Sequence, residues 1–469
     1  AFDKVILAAN KTYAIGTSIV PRDGGEMHCG KAILRLNNGA NAHMFRAPDG
    51  VGDFDVYGGV WDGNKVNQSS AVCGCTSAGG GTNIRIGLYH VRVHDCYSHG
   101  VGWNSLVAKH FQIVGGWAWD NGASGFGTIA GMDRSTVVGA IAWDNATSNF
   151  GGSGIISRTA YAGIVGEGAG AADNLTSYGA GADFNTVASF VSIGGANNGM
   201  HFSGDYNAFA AIVIDSPAQY GLSSRIESGG VVAHGLAMAA ITVKDAGAAS
   251  FWLDNNDGFA GAALVGTDPV GHNLYLDTGN VNGHLSGTFK GAGTDNVRLQ
   301  AAGDIVVHVL SVDATGDGIQ VADSSRNVVG GLFTGNALGI NETGTSDANL
   351  FVGIISKGNT SDTSIFANDA SKQAANLLGG TTVLTAAATL DLWDYTDTFL
   401  VSGGTSITAI EASYAGRRIT IIASGTITFA DSATLRTNGS GITLNNNDAA
   451  MFECLDGVGW WQTTPLSDN

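Results

Sequence analysis

The segment from 83 to 154 makes one statement three times. NIRIGLYHVRVHDCYSHGVGWNS, LVAKHFQIVGGWAWDNGASGFGT and IAGMDRSTVVGAIAWDNATSNFGGSG each hold a short alternating apolar run, an acidic turn and a small-Gly pair that restarts the next run. Asp95, Asp120 and Asp144 fall at matching points, 25 and 24 residues apart. His99-Gly100 and Ser124-Gly125 are also 25 apart, and Ser153-Gly154 follows after 29. A unit this short cannot close a core of its own, so each must bury its apolar side against the next. The runs alternate with period two, which makes them strands. The fold class predicted is all-β, a single-stranded parallel β-helix.

The remaining composition agrees. Gly is 71 of 469 residues and Pro only 5, as expected for many short strands joined by tight turns. Helical 3.6-residue spacing is nearly absent; Asn368 to Leu378 (NDASKQAANLL) is the one stretch that fits a short helix or linker. A second periodic mark is an Asn just before a strand, at Asn83, Asn185, Asn207, Asn273, Asn296, Asn327 and Asn349. Asn tolerates left-handed backbone and bonds its own turn, so stacked corners would set these amides in a ladder. The marks predict about ten to twelve coils, with the register blurred between Ser223 and Thr267.

The charge balance is 22 basic against 40 acidic residues, net −18. Nucleic acid is excluded as a partner, because its phosphates require concentrated Lys and Arg. No run of 18 apolar residues exists, so no membrane-inserted helix is expected. The five cysteines, Cys29, Cys73, Cys75, Cys96 and Cys454, are odd in number and sparse, and are expected as buried thiols rather than a disulfide framework.

The opening KVILAANKTYAIGTSIV, followed by the Gly58-Gly59-x-x-Asp62-Gly63-Asn64 turn, resembles the pectate-lyase-like superfamily of right-handed parallel β-helices. That superfamily holds polysaccharide lyases, glycoside hydrolases, uronate epimerases and phage tailspikes. The resemblance implies a β-helix over 1–367, with opening coils 1–82 and main coils 83–367. A linker or short helix is placed at 368–379. Residues 380–469 change to longer Thr-rich strands and end on Trp460-Trp461. They resemble the small C-terminal β-modules of tail fibres and tailspikes, which implies a homotrimer and an extracellular or virion (tail) location. The alternative for this segment is a carbohydrate-binding module with Trp460 and Trp461 as its platform.

Strand neighbours in a parallel β-helix lie about 4.8 Å apart. One coil of spacing therefore predicts Asp120 and Asp144 side by side, with Asp95 one coil beyond. Two carboxylates at that distance suit a retaining glycosidase. Two other readings stay open. Asp-Asn is a common turn pair, and stacked carboxylates suit a Ca2+ ion. Trp119 and Trp143 each precede their Asp, and Trp103 and Trp117 lie nearby; outward rings would seat a polysaccharide, inward ones would be core. His99, Arg158 and Glu167 are further catalytic candidates, with Arg134 or Arg158 suited to neutralising a uronate. His94, His201 and Asp205 lie in the same region. No Asp-Pro-His-Glu run and no Asp-Asp…Gly-His-Gly pattern is present, so neither alginate epimerase nor polygalacturonase is indicated.

Overall fold

The computed structural model describes residues 3–463 except 49, 71–72, 78–84, 104–109, 129–130, 153–154, 178–181, 225–231, 365–371, 375–376, 379–382, 391–397, 412, 414 and 438. It is a right-handed parallel β-solenoid of about 17 turns with small β-sheets at its C-terminal end. One coil reads Gln112–Val114, Trp117–Trp119, Phe126–Thr128, Gly131–Asp133. Each strand pairs in parallel with its counterpart one coil on, as in Gln112–Val114 with Thr136–Val138 and Trp117–Trp119 with Ile141–Trp143. The first two strand positions form two faces that join wherever the corner between them opens, so that Ala208–Asp215, Ala237–Lys244 and Ala260–Thr267 run through both. The third position forms a separate sheet of 14 strands, from Phe45–Ala47 to Ser361–Ser364.

Period-two patterning decides what the tube contains. Ile113, Val137, Val187, Phe209 and Met238 point inward in one stack, and Phe126, Phe150, Leu175, Met200 and Leu222 in another, all buried. Continuous apolar stacking supplies the burial that no coil achieves alone.

The Asn marks resolve into separate ladders at different corners. Asn185 accepts a bond from its own coil's neighbour Thr159 N at 3.0 Å, and Asn207 accepts one from Asn185 N at 2.9 Å. Asn327 and Asn349 stand at this same corner further along, joined at 3.0 Å. Asn273 and Asn296 belong to a second corner, one residue before the 14-stranded sheet, joined Nδ2 to Oδ1 at 2.7 Å. A third ladder joins Asn121 to Asn145 at 2.8 Å, just after the Asp corner. All eight are buried. Each amide satisfies backbone groups of an adjacent coil, the preceding one at the first and third corners and the following one at the second, where a buried unpaired N–H or C=O would cost about 1–3 kcal/mol. Asn83 and the Ser153-Gly154 restart lie outside the described residues.

Over 83–365 the 14-stranded sheet carries twelve strands, from Val101–Trp103 to Ser361–Ser364, within the ten to twelve coils expected there. Other expectations change. The register expected to blur before Thr267 is regular over 237–267, where Ala237–Lys244 pairs with Ala260–Thr267 without a break. The Asn and Gly marks thin out there, since Ala240 and Ala263 take the left-handed corner instead. The segment 368–379 holds no helix among its described residues. Lys372–Ala374 and Leu377–Leu378 pair in parallel with Leu350–Lys357, a further coil 22 residues on. The only helical element described is the short 3-10 turn Lys65–Asn67.

Beyond the coils a second core gathers Phe399, Ile419, Ile421, Phe429, Phe452 and Trp460. Arg418–Ala423 runs antiparallel to Ala449–Cys454 and parallel to Thr398–Ser402. Trp460 is fully buried and donates Nε1 to Glu411 O at 2.8 Å, so it is core and does not form a sugar platform with the half-buried Trp461. All five cysteines are free and buried.

Candidate functional site

The sequence-predicted residues meet at the second strand position of consecutive coils. There Asp62, His94, Trp119, Trp143 and Glu167 share one outward column, each paired with the next. Coil pitch is close to ring-stacking distance, so aromatic residues in such a column stack by construction. Trp119 lies on Trp143 with centroids 5.0 Å apart and planes 2° from parallel. His94 lies on Trp119 at 4.5 Å and 16°. The neighbouring outward column adds Trp117, which is 37% exposed, meets Trp143 edge-on at 6.3 Å and carries the Arg92 guanidinium over its ring at 4.3 Å. The result is an aromatic ladder three rings long on the outside of the tube.

Asp95, Asp120 and Asp144 stand at the next position, all left-handed (φ 50, 53 and 50°). The register places them in one corner column, one coil apart. Asp120 and Asp144 are exposed. The same column continues through Gly168, Gly194, Ser216, Asp245, Asp268, Gly291 and Asp313, every one with positive φ. Asp, Gly and Ser are residues that hold this backbone conformation at little cost or bond locally to support it. Glu167 is exposed beside Trp143.

The N-terminal end of the ladder is a charged cluster. His94 Nδ1 lies 2.9 Å from Asp95 Oδ2, and ligand atoms of Asp62, His94 and Asp95 fall within 4.8 Å of one another, a grouping that suits a metal ion. Two cations already face it: Arg35 Nε lies 3.3 Å from Asp62, and Lys65 Nζ 4.0 Å from Asp95. Lys65 also donates to the Asp120 carbonyl. Among the described residues Asp120 and Asp144 belong to no such grouping.

The remaining candidates sit elsewhere. Arg134 and Arg158 occupy a different left-handed corner, two strands away around the coil, where Arg158 grips Asp133 through Nε at 2.7 Å and Nη2 at 2.8 Å. His99 lies within the turn before Val101, where its Nδ1 accepts the Ser124 N–H at 3.2 Å. Burial lowers its pKa to about 4, so it is neutral at physiological pH. Trp103 ends the strand that pairs with Phe126–Thr128, and its side chain lies outside the described residues.

Sequence reasoning passed over a second polar cluster, on the outer face of the 14-stranded sheet. Trp252, Tyr275, Arg298, Gln320 and Asn341 stack there in register, all half-buried. Beside them His272, Asp295 and Asp317 occupy consecutive coils, two residues before the register partners Leu274, Val297 and Ile319. The 22-residue step from Asp295 to Asp317 was visible in the sequence; their burial was not.

No protein-family model and no curated protein matches the sequence. Solved structures with a similar backbone path include a mannuronan C-5 epimerase A-module from Azotobacter vinelandii (14% identity, 80% of this chain and 90% of that one, TM-score 0.31). The siphovirus 9NA tailspike receptor-binding domain is similar at 8% identity over 99% of this chain and 90% of that one, with TM-score 0.34. The catalytic domain of a GH87 alpha-1,3-glucanase is similar at 10% identity over 74% and 63%, with TM-score 0.37.

Proposed function

We propose that this β-helix binds a cell-surface polysaccharide along its outer wall and depolymerises it, in the manner of a tailspike. The observation that carries the reading is the outward Trp119–Trp143 stack, prolonged by His94 and flanked by Trp117. Flat faces of this kind receive the apolar faces of sugar rings, while the carboxylates at the rim accept their hydroxyls. On this reading Asp120 and Asp144 are the ladder's own acid–base pair, with Asp95 and Glu167 beside them. The Asp62, His94 and Asp95 grouping includes an imidazole, so it suits a transition metal better than the all-oxygen shell that Ca2+ takes. Residues 380–469 hold three copies together, which suits a virion tail or another extracellular setting.

A non-catalytic reading, in which the ladder only recognises the glycan, is favoured by one observation. Gly168, Gly194 and Ser216 replace the Asp in the same corner column, so the backbone alone accounts for Asp120 and Asp144. Incubation with a panel of capsular and lipopolysaccharide glycans separates the two, read by new reducing ends, by unsaturated-uronate absorbance and by binding. Depolymerisation predicts products from one glycan, and their loss in Asp120→Asn/Asp144→Asn would assign the chemistry to the ladder. Binding without products supports recognition alone. Deleting 380–469 is expected to turn a trimer into monomers by light scattering; a truncated trimer contradicts that role.

A further inference from the structure

The corner column that ends in Asp295 and Asp317 follows a structural rule that its last member breaks. Asp173 Oδ1 accepts the N–H of Asn198, its counterpart one coil on, at 2.9 Å. Asp295 Oδ1 does the same for Asp317 N at 2.9 Å. Asp317 instead receives the Asn341 side chain, Nδ2 to Oδ2, at 2.6 Å. Its carboxyl is therefore tied to the next coil through a side chain rather than through that coil's backbone N–H. Asp295 and Asp317 are 8% and 7% exposed, far less than the carboxylates of the Trp ladder.

Their surroundings are those of a ligand face. His272 Nδ1 sits 3.5 Å from Asp295 Oδ2 and 2.9 Å from Thr294 Oγ1. The His272 ring contacts Tyr275 at 5.1 Å, Arg298 lies over Tyr275 at 5.7 Å, and Trp252 packs on Tyr220 at 4.3 Å. Gln320 Oε1, on the same outward column as Tyr275 and Arg298, is buried without a hydrogen-bond partner among the described residues. The Tyr275 ring under Arg298, with the open Gln320 acceptor one coil beyond that Arg, marks a place where a hydroxyl-bearing ligand would sit.

We infer that Asp295 and Asp317 form the hydrolytic centre for a hexopyranoside chain, with Asp317 as general acid and Asp295 as nucleophile. This rests on the polysaccharide reading and moves its chemistry off the Trp ladder. Register sets the two carboxyls about one coil, ~5 Å, apart, the separation of a retaining pair. Asn341 occupies Asp317 Oδ2, which leaves the proton on Oδ1. That proton passes to the glycosidic oxygen as its bond to C1 breaks, and Asp295 Oδ2 forms an ester to C1. Water then attacks C1, gives its proton to Asp317 and frees Asp295, so both groups return to their starting state. Asp317 is suited to the acid's part: burial, reinforced by the Asp295 charge and opposed by the Asn341 bond, raises its pKa to about 6.

The test uses the full chain with the same glycan panel, read by reducing ends and by NMR of the product anomer. Asp317→Asn and Asp295→Asn are expected to lower turnover about 10²-fold or more, with glycan binding kept and the melting midpoint not lowered. Products should retain the anomeric configuration. A 13C-carboxyl titration of the intact protein should show one Asp near pH 6 that Asp317→Asn removes, a readout independent of activity. Cleavage undiminished in Asp317→Asn, inverted products, or no cleavage of any panel glycan overturns the inference. Loss of cleavage in Asp120→Asn/Asp144→Asn with Asp317→Asn fully active puts the chemistry on the ladder and overturns it too. Loss of turnover at Asp317 with binding untouched in Trp119→Ala/Trp143→Ala upholds the inference while the ladder reading falls.

Discussion

Two stretches of the same tube stack carboxylates beside aromatic rings, with opposite surroundings. On the Trp ladder Asp120 and Asp144 stand in solvent at a left-handed corner that Gly and Ser fill elsewhere. On the 14-stranded sheet Asp295 and Asp317 are nearly buried beside His272, Tyr275 and Arg298. A solenoid brings residues one period apart together wherever they occur, so adjacency alone says little about chemistry. Desolvation is what separates the two cases: burial, reinforced by the nearby Asp295 charge, pushes the Asp317 carboxyl towards holding a proton. On the inference above, the ladder binds the glycan and the sheet face transfers the proton.

The sharpest way to break this contrast is kinetic. Asp317→Asn should remove about 10²-fold or more of turnover while Asp120→Asn/Asp144→Asn removes little, measured as reducing ends on the same glycan. Next is binding. Trp119→Ala/Trp143→Ala should weaken glycan affinity about tenfold or more by calorimetry, whereas Tyr275→Phe, which keeps its ring, should not.

Stability offers a third, smaller contrast through pH. The folded-state pKa of Asp317 lies above its ordinary value, so folding binds a proton that the unfolded chain releases. The group is therefore most favourable to folding below about pH 4. That advantage fades as pH rises through about 6, leaving a cost at pH 8. Asp317→Asn should be more stable than the parent at pH 8 by about 1–3 kcal/mol and near parity at pH 4, by chemical denaturation. The smallest effect belongs to Asp144→Gly, expected within about 0.5 kcal/mol of the parent, because Gly168 and Gly194 already fill this corner.

How much of this could be read from the sequence follows the same line. Period and register were legible: the 24- and 25-residue steps placed Asp95, Asp120 and Asp144 in one column and stacked Trp119 on Trp143. The outward direction of Trp119 was not, because alternation fixes which residues share a face but not which face is the wall's exterior. Asn185 and Asn273 looked like one marker and serve two corners, since both give the same pattern of a polar residue before a strand. The alternative that set Trp460 in a surface platform fails because Trp460 is core, and its burial depends on partners such as Phe452 and Ile421 that lie elsewhere in the chain. Asp295 and Asp317 carried their one-coil spacing openly, but their interest lies in burial supplied by neighbouring coils.

The account rests most directly on a glycan seated along the outer wall. Isothermal titration of the full chain against the glycan panel, wild type beside Trp119→Ala/Trp143→Ala, tests that claim. The expected result is one polysaccharide bound by the parent, with affinity lost in the variant and the melting midpoint unchanged. Equal affinity in both proteins, or no glycan bound by the parent, would contradict it.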